Sequence, residues 1–275
     1  MEVDRKEAFH WWSLCTDLGD AMCTRNLGSA YRGGLGIEKN LAKAVPLYLL
    51  AAEKGDAIAQ KRAGEWYLFG TGVETDIEKS IYWHTLAAEQ REAMSQWRLG
   101  WFYRKGIHVP SDYYAAKRWY ETAIGNNFTE AYHGLGELYH FGQGVQRNYR
   151  KGFALHYEAA GRGSKDSIFR IGEIYFFGQG VEQKIDLALS WYESAAALGH
   201  TQSLFRLGQI YSNKLGSEPN IPKGYAYLVR SANHPDRNQT DASQANTWLA
   251  TLKPQLIPVD YETVEEILVN LPQND

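Results

Sequence analysis

The sequence lacks a large excess of charge of either sign, because its 275 residues carry a formal net charge of only −3. This balance provides no basic surface for nucleic acid or for an anionic membrane, so neither is predicted as a partner. No apolar run approaches the ~20 residues of a transmembrane helix, and membrane insertion is not predicted either. The start of the chain, Met1 to Glu7, has no apolar segment typical of a signal peptide, although a peptide removed from a precursor would leave no trace here.

Motifs that carry catalysis or bind cofactors are also missing. The sequence contains neither His-Glu-x-x-His nor Ser-x-x-Lys, and its Gly-x-Gly-Val segments are interpreted as helix ends, not phosphate loops. His133 and Glu137 are one helical turn apart, but His140 would lie about 10 Å from His133 along a helix, too far to complete a metal site. We therefore predict no enzyme activity, no metal and no cofactor.

What the sequence does contain is a repeat with a period of 36 residues, which predicts a repeat architecture. One column of the repeat is glycine: Gly28, Gly64, Gly100, Gly136, Gly172 and Gly208. A second column, three residues later, is tyrosine: Tyr31, Tyr67, Tyr103, Tyr139, Tyr175 and Tyr211.

Each repeat predicts two helices. The small, leucine, glycine and tyrosine columns fall on one face of a first helix, from about Asp56 to Phe69 in the second repeat. The glycine in the middle of this helix costs about 1 kcal/mol against alanine, so we expect a close approach of the partner helix there. Pro46 should kink the second helix of its repeat. The second helices are predicted to begin at capping side chains, with Lys184 breaking the column: Asp4, Asn40, Asp76, Asp112, Asn148 and Asn220.

These motifs, with Ala-Ala-Glu-Lys-Gly-Asp-Ala at 51–57, resemble Sel1-like repeats, relatives of tetratricopeptide repeats. The resemblance covers roughly residues 4–234. It implies an all-α, right-handed superhelical solenoid of helix-turn-helix repeats of 36 residues, with the first helices lining the concave wall. It also implies protein–protein binding.

The repeat boundaries give three predicted regions. Residues 1–19 form a half repeat with only its second helix, residues 20–234 form six repeats, and residues 235–275 form a C-terminal helical cap with helices at 236–253 and 260–270. The third repeat departs from the pattern at Arg91 and His108, which replace glycines, and the sixth has an atypical turn at 213–219.

Cys15 and Cys23 occupy two small-residue columns that we expect to face each other. The Cys-x7-Cys spacing is similar to that of exported cysteine-rich members of the family, whose pairs are bridged. A disulfide would indicate an oxidising compartment, here the bacterial periplasm, whereas two free buried thiols would leave the cytoplasm open.

The face of the first helices opposite the core columns is the predicted partner-binding surface. Its residue types vary from repeat to repeat and include many aromatics, as expected of a binding surface on a constant frame. Trp97 and Trp101 are its strongest candidates, while Phe169 and Phe205 could equally pack against the neighbouring helix. The candidate residues are Lys61, Glu65, Trp97, Trp101, Arg104, His133, Glu137, His140, Phe169, Glu173, Phe176, Phe205 and Gln209.

We therefore predict a non-catalytic protein-binding solenoid, monomeric when free. Bacterial relatives of this type include immunity proteins against lipase-type effectors, so one hypothesis is an immunity protein that neutralises a secreted toxin. A second is an adaptor or scaffold in a signalling or envelope complex. A remote third is a hydrolase with Glu137 and Glu173 as a carboxylate pair.

Overall fold

The computed structural model describes residues 4–213, 219–234 and 239–271, and every regular element among them is helical. Their contacts divide the chain into two compact units, one within Met1–Leu138 and Gly142–Gln146, the other within Tyr139–Phe141 and Arg147–Asp275. In each unit consecutive helices pair as antiparallel hairpins, which together form a repeat solenoid. The predicted all-α repeat fold is confirmed.

The helices fall into two alternating series, which we call the A helices and the B helices. The A helices are α2 (Ala21–Gly33), α4 (Ala57–Phe69), α6 (Ala93–Lys105), α8 (Thr129–Phe141), α10 (Lys165–Phe177) and α12 (Thr201–Ser212). The B helices are α1 (Arg5–Asp17), α3 (Leu41–Glu53), α5 (Ile77–Glu89), α7 (Tyr113–Gly125), α9 (Tyr149–Gly161), α11 (Ile185–Ala197) and α13 (Ile221–Asn233). Helix α3 continues through Pro46 over thirteen residues.

Side chains cap the B helices as the sequence predicts. In α5, for example, Asp76 accepts a hydrogen bond from the backbone N–H of Lys79 at 3.0 Å, which satisfies one of the first-turn donors. Lys184 makes no such bond at the start of α11. The other five predicted capping residues also accept a backbone N–H: Asp4, Asn40, Asp112, Asn148 and Asn220.

Five A helices end at a left-handed residue, which suits glycine because it has no Cβ. Gly70, at the end of α4, has φ +69°. The column that ends the B helices is also left-handed, and two residues other than glycine occupy it: Arg91 at φ 66° and Asn127 at φ 62°. His108 has φ 55° in the turn of the third repeat. These departures from the sequence pattern therefore keep the backbone conformation of the repeat.

Four glycines of the column bring a ring of the B helix directly onto the A helix, and at Gly208 the side chain of Leu228 takes this place. A Cβ built on Gly100 would lie 2.6 Å from the ring of Tyr120, which is fully buried. Gly64 has the same relationship to His84, with a closest distance of 2.7 Å. The predicted close approach of the partner helix is confirmed, and it explains why the mid-helix glycine is kept despite its cost.

A further buried column was not predicted. It lies two residues after each glycine, and its members are at most 4% exposed: Ala30, Trp66, Phe102, Leu138, Ile174 and Ile210. The tyrosine column, placed in the core by the sequence, is only half-buried. A lysine lies over several of its rings, as Lys151 does over Tyr139 at 4.1 Å from the ring centre.

Helix α14 (Gln239–Leu252), a 3₁₀ turn (Lys253–Gln255) and α15 (Pro258–Asn270) follow the repeats. Both α14 and α15 pack against α13, and Leu252 is buried with Leu228 of α13. The start predicted at 236 and most of the turn at 213–219 lie outside the described residues. The division into residues 1–19, 20–234 and 235–275 stays a prediction.

The structure joins Cys15 of α1 and Cys23 of α2 in a disulfide, with 5.8 Å between their Cα atoms. None of the residues of α1 is fully buried, so the disulfide adds a covalent link to the packing contacts of α1 with α2, such as that of Phe9 with Tyr31.

Candidate functional site

The candidate residues of the A helices fall into two groups by burial. Glu137, His140 and Glu173 are buried, although their place on the helix face opposite the core columns led to the expectation of a surface position. The other ten are half-buried: Lys61, Glu65, Trp97, Trp101, Arg104, His133, Phe169, Phe176, Phe205 and Gln209.

In the first unit, aromatic side chains surround one arginine. The guanidinium of Arg98 lies 4.5 Å from the ring centre of Trp97 and 5.6 Å from that of Trp101. Phe69, at the end of α4, is 5.9 Å away and two-thirds exposed. We call these four residues the Trp cluster. Burial lowers the pKa of Arg98 from its usual value, because a charged group loses hydration among apolar rings.

The candidate cations of the first unit are ion-paired with neighbouring helices. Lys61 of α4 lies 3.2 Å from Glu92, which also caps α6. Arg104 of α6 lies 3.7 Å from Glu137 of α8. Both pairs are largely shielded from solvent, and each links one A helix to the next.

Glu173 of the second unit accepts hydrogen bonds from two side chains. The hydroxyl of Tyr192 donates to it at 2.7 Å, and Arg206 of α12 donates at 3.0 Å. Burial raises the pKa of Tyr192, and the neighbouring Glu173 raises it further. The hydroxyl therefore acts as a hydrogen-bond donor and Glu173 positions Arg206 on the surface.

Four of the candidates in the second unit meet in one cleft of about 420 Å³, within the usual range of ligand sites. The cleft lies among α10, α12 and α14, and it contains two guanidinium groups and one carboxylate. We call it the α10–α12 cleft. Its lining residues are Phe169, Arg170, Glu173, Gln202, Phe205, Arg206, Gln209 and Gln244.

The histidine and phenylalanine candidates of this unit also make packing contacts, and Phe169 stacks on the ring of His200 with 4.5 Å between ring centres. His140 lies 2.9 Å from the side-chain oxygen of Gln179 and its ring contacts Tyr149. Phe176 packs against the buried cluster that contains Tyr192 and Leu207. These side chains therefore help to stabilise the packing of the A helices in this unit.

Sequence reasoning missed one set of arginines, which lies beside the predicted stripe. Three of these arginines lie over a phenylalanine of the preceding A helix: Arg98 over Phe69, Arg170 over Phe141 at 5.4 Å and Arg206 over Phe177 at 5.8 Å. The signal was present, since the arginine column recurs at multiples of 36: Arg62, Arg98, Arg170 and Arg206.

A second cleft was also missed, because its residues come partly from turns. It lies in the first unit and has a volume of about 420 Å³. Its charged groups are three cations and one carboxylate. The lining residues are Arg32, Lys39, Leu41, Arg62, Glu65, Trp66, Phe69 and Thr71.

In the described ranges, no three His, Cys, Asp or Glu side chains are grouped so that they could share a metal ion. None of the helices that the structure describes has the length and apolarity needed to cross a membrane.

The Sel1 repeat profile matches residues 1–20, 21–56, 57–91, 93–127, 129–164, 165–200 and 201–236. This chain belongs to the Sel1 repeat family. The family's repeats typically serve protein–protein interaction, in agreement with the predicted resemblance. A comparison with curated proteins gave no match.

Solved Sel1 structures share the fold. A Sel1 repeat protein from Oxalobacter formigenes is 28% identical, with a TM-score of 0.64 over 85% of this chain and 89% of that one. A protective antigen with an SLR fold, present in uropathogenic Escherichia coli strains, is 22% identical, with a TM-score of 0.63 over 96% of this chain and 63% of that one.

An immunity protein from Pseudomonas aeruginosa was also found, at 19% identity and a TM-score of 0.48 over 84% of this chain and 81% of that one. A likeness of this size carries no argument about the function of the present chain.

Proposed function

We propose that this Sel1 repeat protein binds a protein partner through the outward face of its A helices. The observation that carries the proposal is the grouping of the half-buried Trp97 and Trp101 and the exposed Phe69 around Arg98. Tryptophan and arginine are the residue types most enriched among the residues that dominate binding energy at interfaces. The repeat frame does not need tryptophan at these two positions, because the equivalent residues in α4 are Lys61 and Glu65.

The α10–α12 cleft supports the same proposal in the second unit. Phe169 and Phe205 are half-buried beside two arginines, so the cleft offers both apolar walls and hydrogen-bond donors. A protein side chain fits this combination of chemistry, since interface cores combine aromatic anchors with arginine. The buried Glu173 acts through Arg206, which it positions at 3.0 Å.

The hydrogen bonds and ion pairs of Glu137 and Glu173 favour protein binding over hydrolysis as the function of this surface. Glu173 accepts hydrogen bonds from Tyr192 and Arg206, and Glu137 is ion-paired with Arg104. A general acid or base must exchange a proton with the substrate, whereas both carboxylates are engaged in holding arginines.

The narrower proposal is that the partner is a secreted bacterial toxin, which this chain neutralises as an immunity protein in the periplasm. The Cys15–Cys23 disulfide supports an oxidising compartment such as the periplasm. An adaptor in a signalling or envelope complex is the alternative role. An immunity protein binds one partner very tightly, whereas an adaptor binds several partners more weakly.

The test is partner binding by variants of the Trp cluster. The partner is recovered from the native host by crosslinking, identified by mass spectrometry, produced separately, and titrated against the purified protein. Trp101→Ala should weaken binding at least about tenfold, because it removes a central aromatic anchor. Helix content should stay unchanged, since Trp101 is half-buried.

Tyr82→Ala is the matched control, because Tyr82 is an aromatic residue of B helix α5 and is 56% exposed. It should bind the partner normally. If Trp97→Ala and Trp101→Ala both retain full affinity, the Trp cluster is not the binding surface, and the observation that carries the proposal is lost. A single partner bound with sub-nanomolar affinity would support the immunity role, and several weaker partners would contradict it.

A further inference from the structure

Arg98 has aromatic neighbours on three sides, but no acceptor for its N–H groups among the described residues. The ring centres of Trp97, Trp101 and Phe69 all lie within 6 Å, the range of cation–π attraction. Within the described part of the chain, its Nε is buried without a hydrogen-bond partner, and Arg98 makes no ion pair. A ring face attracts the cation, but it does not replace the oxygen atoms that an arginine normally binds.

The same position in other repeats shows what is missing. Arg62 of α4 donates to Glu65 at 2.9 Å, and Arg206 of α12 donates to Gln209 at 3.1 Å. In both helices the acceptor lies three residues after the arginine. In α6 that residue is Trp101. The third repeat therefore keeps the arginine and replaces its acceptor with an aromatic ring.

The charged neighbours of Arg98 are engaged elsewhere. Glu65 is the anion whose charge acts on Arg98, and it is hydrogen-bonded to Arg62 at 2.9 Å. Arg104, six residues further along α6, is ion-paired with Glu137. The guanidinium of Arg98 is therefore a cation whose nearby carboxylates are already bonded to other arginines.

We infer that Arg98 binds the carboxylate of an acidic side chain of the protein partner, with Trp97 and Trp101 covering the residues on either side of that acid. The inference rests on the proposed function, because it names the chemistry of the segment that the Trp cluster binds. Because its Nε is buried, Arg98 would donate from the two terminal nitrogens of its guanidinium, which form two parallel charge-assisted hydrogen bonds with a carboxylate. The surrounding rings exclude water, which strengthens the attraction between the charges.

The test uses two blocked peptides that differ only in charge, acetyl-Leu-Glu-Leu-amide and acetyl-Leu-Gln-Leu-amide. Each is titrated into the whole protein, and the guanidinium NMR signals of Arg98, assigned from their loss in Arg98→Lys, are followed. The glutamate peptide should shift these signals with an affinity at least about tenfold higher than the glutamine peptide. Equal shifts with both peptides, or none at Arg98 with either, would overturn the inference.

Matched variants separate Arg98 from the rest of the face. Arg98→Gln should lose the preference for the glutamate peptide, whereas Arg62→Gln should keep it, because Arg62 already has Glu65 as its acceptor. A preference for glutamate that survives in Arg98→Gln would show that another cation reads the acid.

Binding of the full partner distinguishes this inference from the proposed function. If Trp101→Ala loses the partner and Arg98→Gln binds it normally, the inference fails and the proposed surface stands. If both variants bind normally, both fail. A loss of at least about tenfold in both supports the two together.

Discussion

The imidazole Nδ1 of His84 lies 3.0 Å from the hydroxyl oxygen of Ser95, and both side chains are fully buried. The pair joins α5 to α6, while the other side of the same ring contacts Gly64 of α4. His84 thus links three successive helices through one titratable side chain, and this arrangement makes the stability of the fold depend on pH.

Acidification should destabilise the folded chain through His84. Burial lowers the pKa of His84 from 6.5 to about 3, and the nearby cations Arg98 and Lys61 act in the same direction. Between those pH values the unfolded chain binds a proton at His84 that the folded chain does not. The contribution of neutral His84 to the free energy of unfolding is therefore fully present above pH 6.5 and decreases as the pH falls toward 3. One such proton changes the free energy of unfolding by about 1.4 kcal/mol per pH unit at most.

Urea unfolding at several pH values measures this dependence. His84→Gln should have a shallower slope between pH 6.5 and 4, whereas His10→Gln should keep the original slope, because His10 is exposed on α1. An unchanged slope in His84→Gln would rule out this residue as the origin.

Adding a single methyl group at Gly100 should destabilise the first unit. Its Cβ would lie 2.6 Å from the ring of Tyr120, which is fully buried and has no free space to move into. Overpacking of this kind costs about 1–3 kcal/mol, more than the helix propensity that alanine gains. Gly125→Ala is the control, because Gly125 is also helical and has no atom within 4 Å of its would-be Cβ. We expect Gly100→Ala to lower the urea midpoint and Gly125→Ala to leave it equal or higher.

Reduction of the disulfide should loosen α1 selectively. The Cys15–Cys23 link closes a short loop and lowers the conformational entropy of the unfolded chain, which stabilises the folded state by about 2–3 kcal/mol. Helix α1 has no fully buried residue that would compensate for the loss of this link. Hydrogen exchange with and without reductant measures this effect. Amides of residues 5–17 should exchange faster after reduction, and those of α4 should not change. In the double variant Cys15→Ser/Cys23→Ser, the hydrogen exchange of α1 should be the same with and without reductant. Equal protection of α1 in all samples, including the reduced natural sequence, would contradict the prediction.

Arg91→Gly should stabilise the protein, because Arg91 occupies the left-handed region at φ 66° and side chains other than glycine are strained there. The gain should be about 0.5–1 kcal/mol, since glycine also loses more freedom on folding. The reciprocal variant is Gly55→Ala at the same repeat position, where φ is +93° and a Cβ would meet no atom within 4 Å. It should be destabilised by backbone strain alone. Thermal unfolding of both variants checks the pair, and a destabilised Arg91→Gly would point to a role for the arginine side chain.

The sequence predicted the hairpins well because their contact positions tolerate few residue types. Gly64 and Gly100 must accept a ring, so the column stays glycine and its period is visible. The buried column that includes Ala30 and Trp66 was not predictable in this way, because apolar residues of several types fill this position of the core and no single type recurs.

The candidate site was predictable only in outline. The stripe that contains Trp97 and Trp101 follows from helical spacing within α6. Whether a polar residue of that stripe is buried depends on the neighbouring helix, and Glu173 is buried because Tyr192 and Arg206 donate to it. Whether two such side chains meet depends on the distances between helices, and the periodicity of residues within one helix gives no information about those distances.

The ring contacts of His84 also have a consequence for how a chain of this kind can change in length. The ring of His84 lies against Gly64 in its own hairpin and reaches Ser95 of the next one, and Tyr120 contacts Gly100 and Gly134 in the same way. Removing or duplicating 36 residues would rejoin equivalent surfaces, whereas any other number would set a ring against the wrong partner. Evolution and protein engineers alike can therefore lengthen or shorten this array only in whole steps of one hairpin.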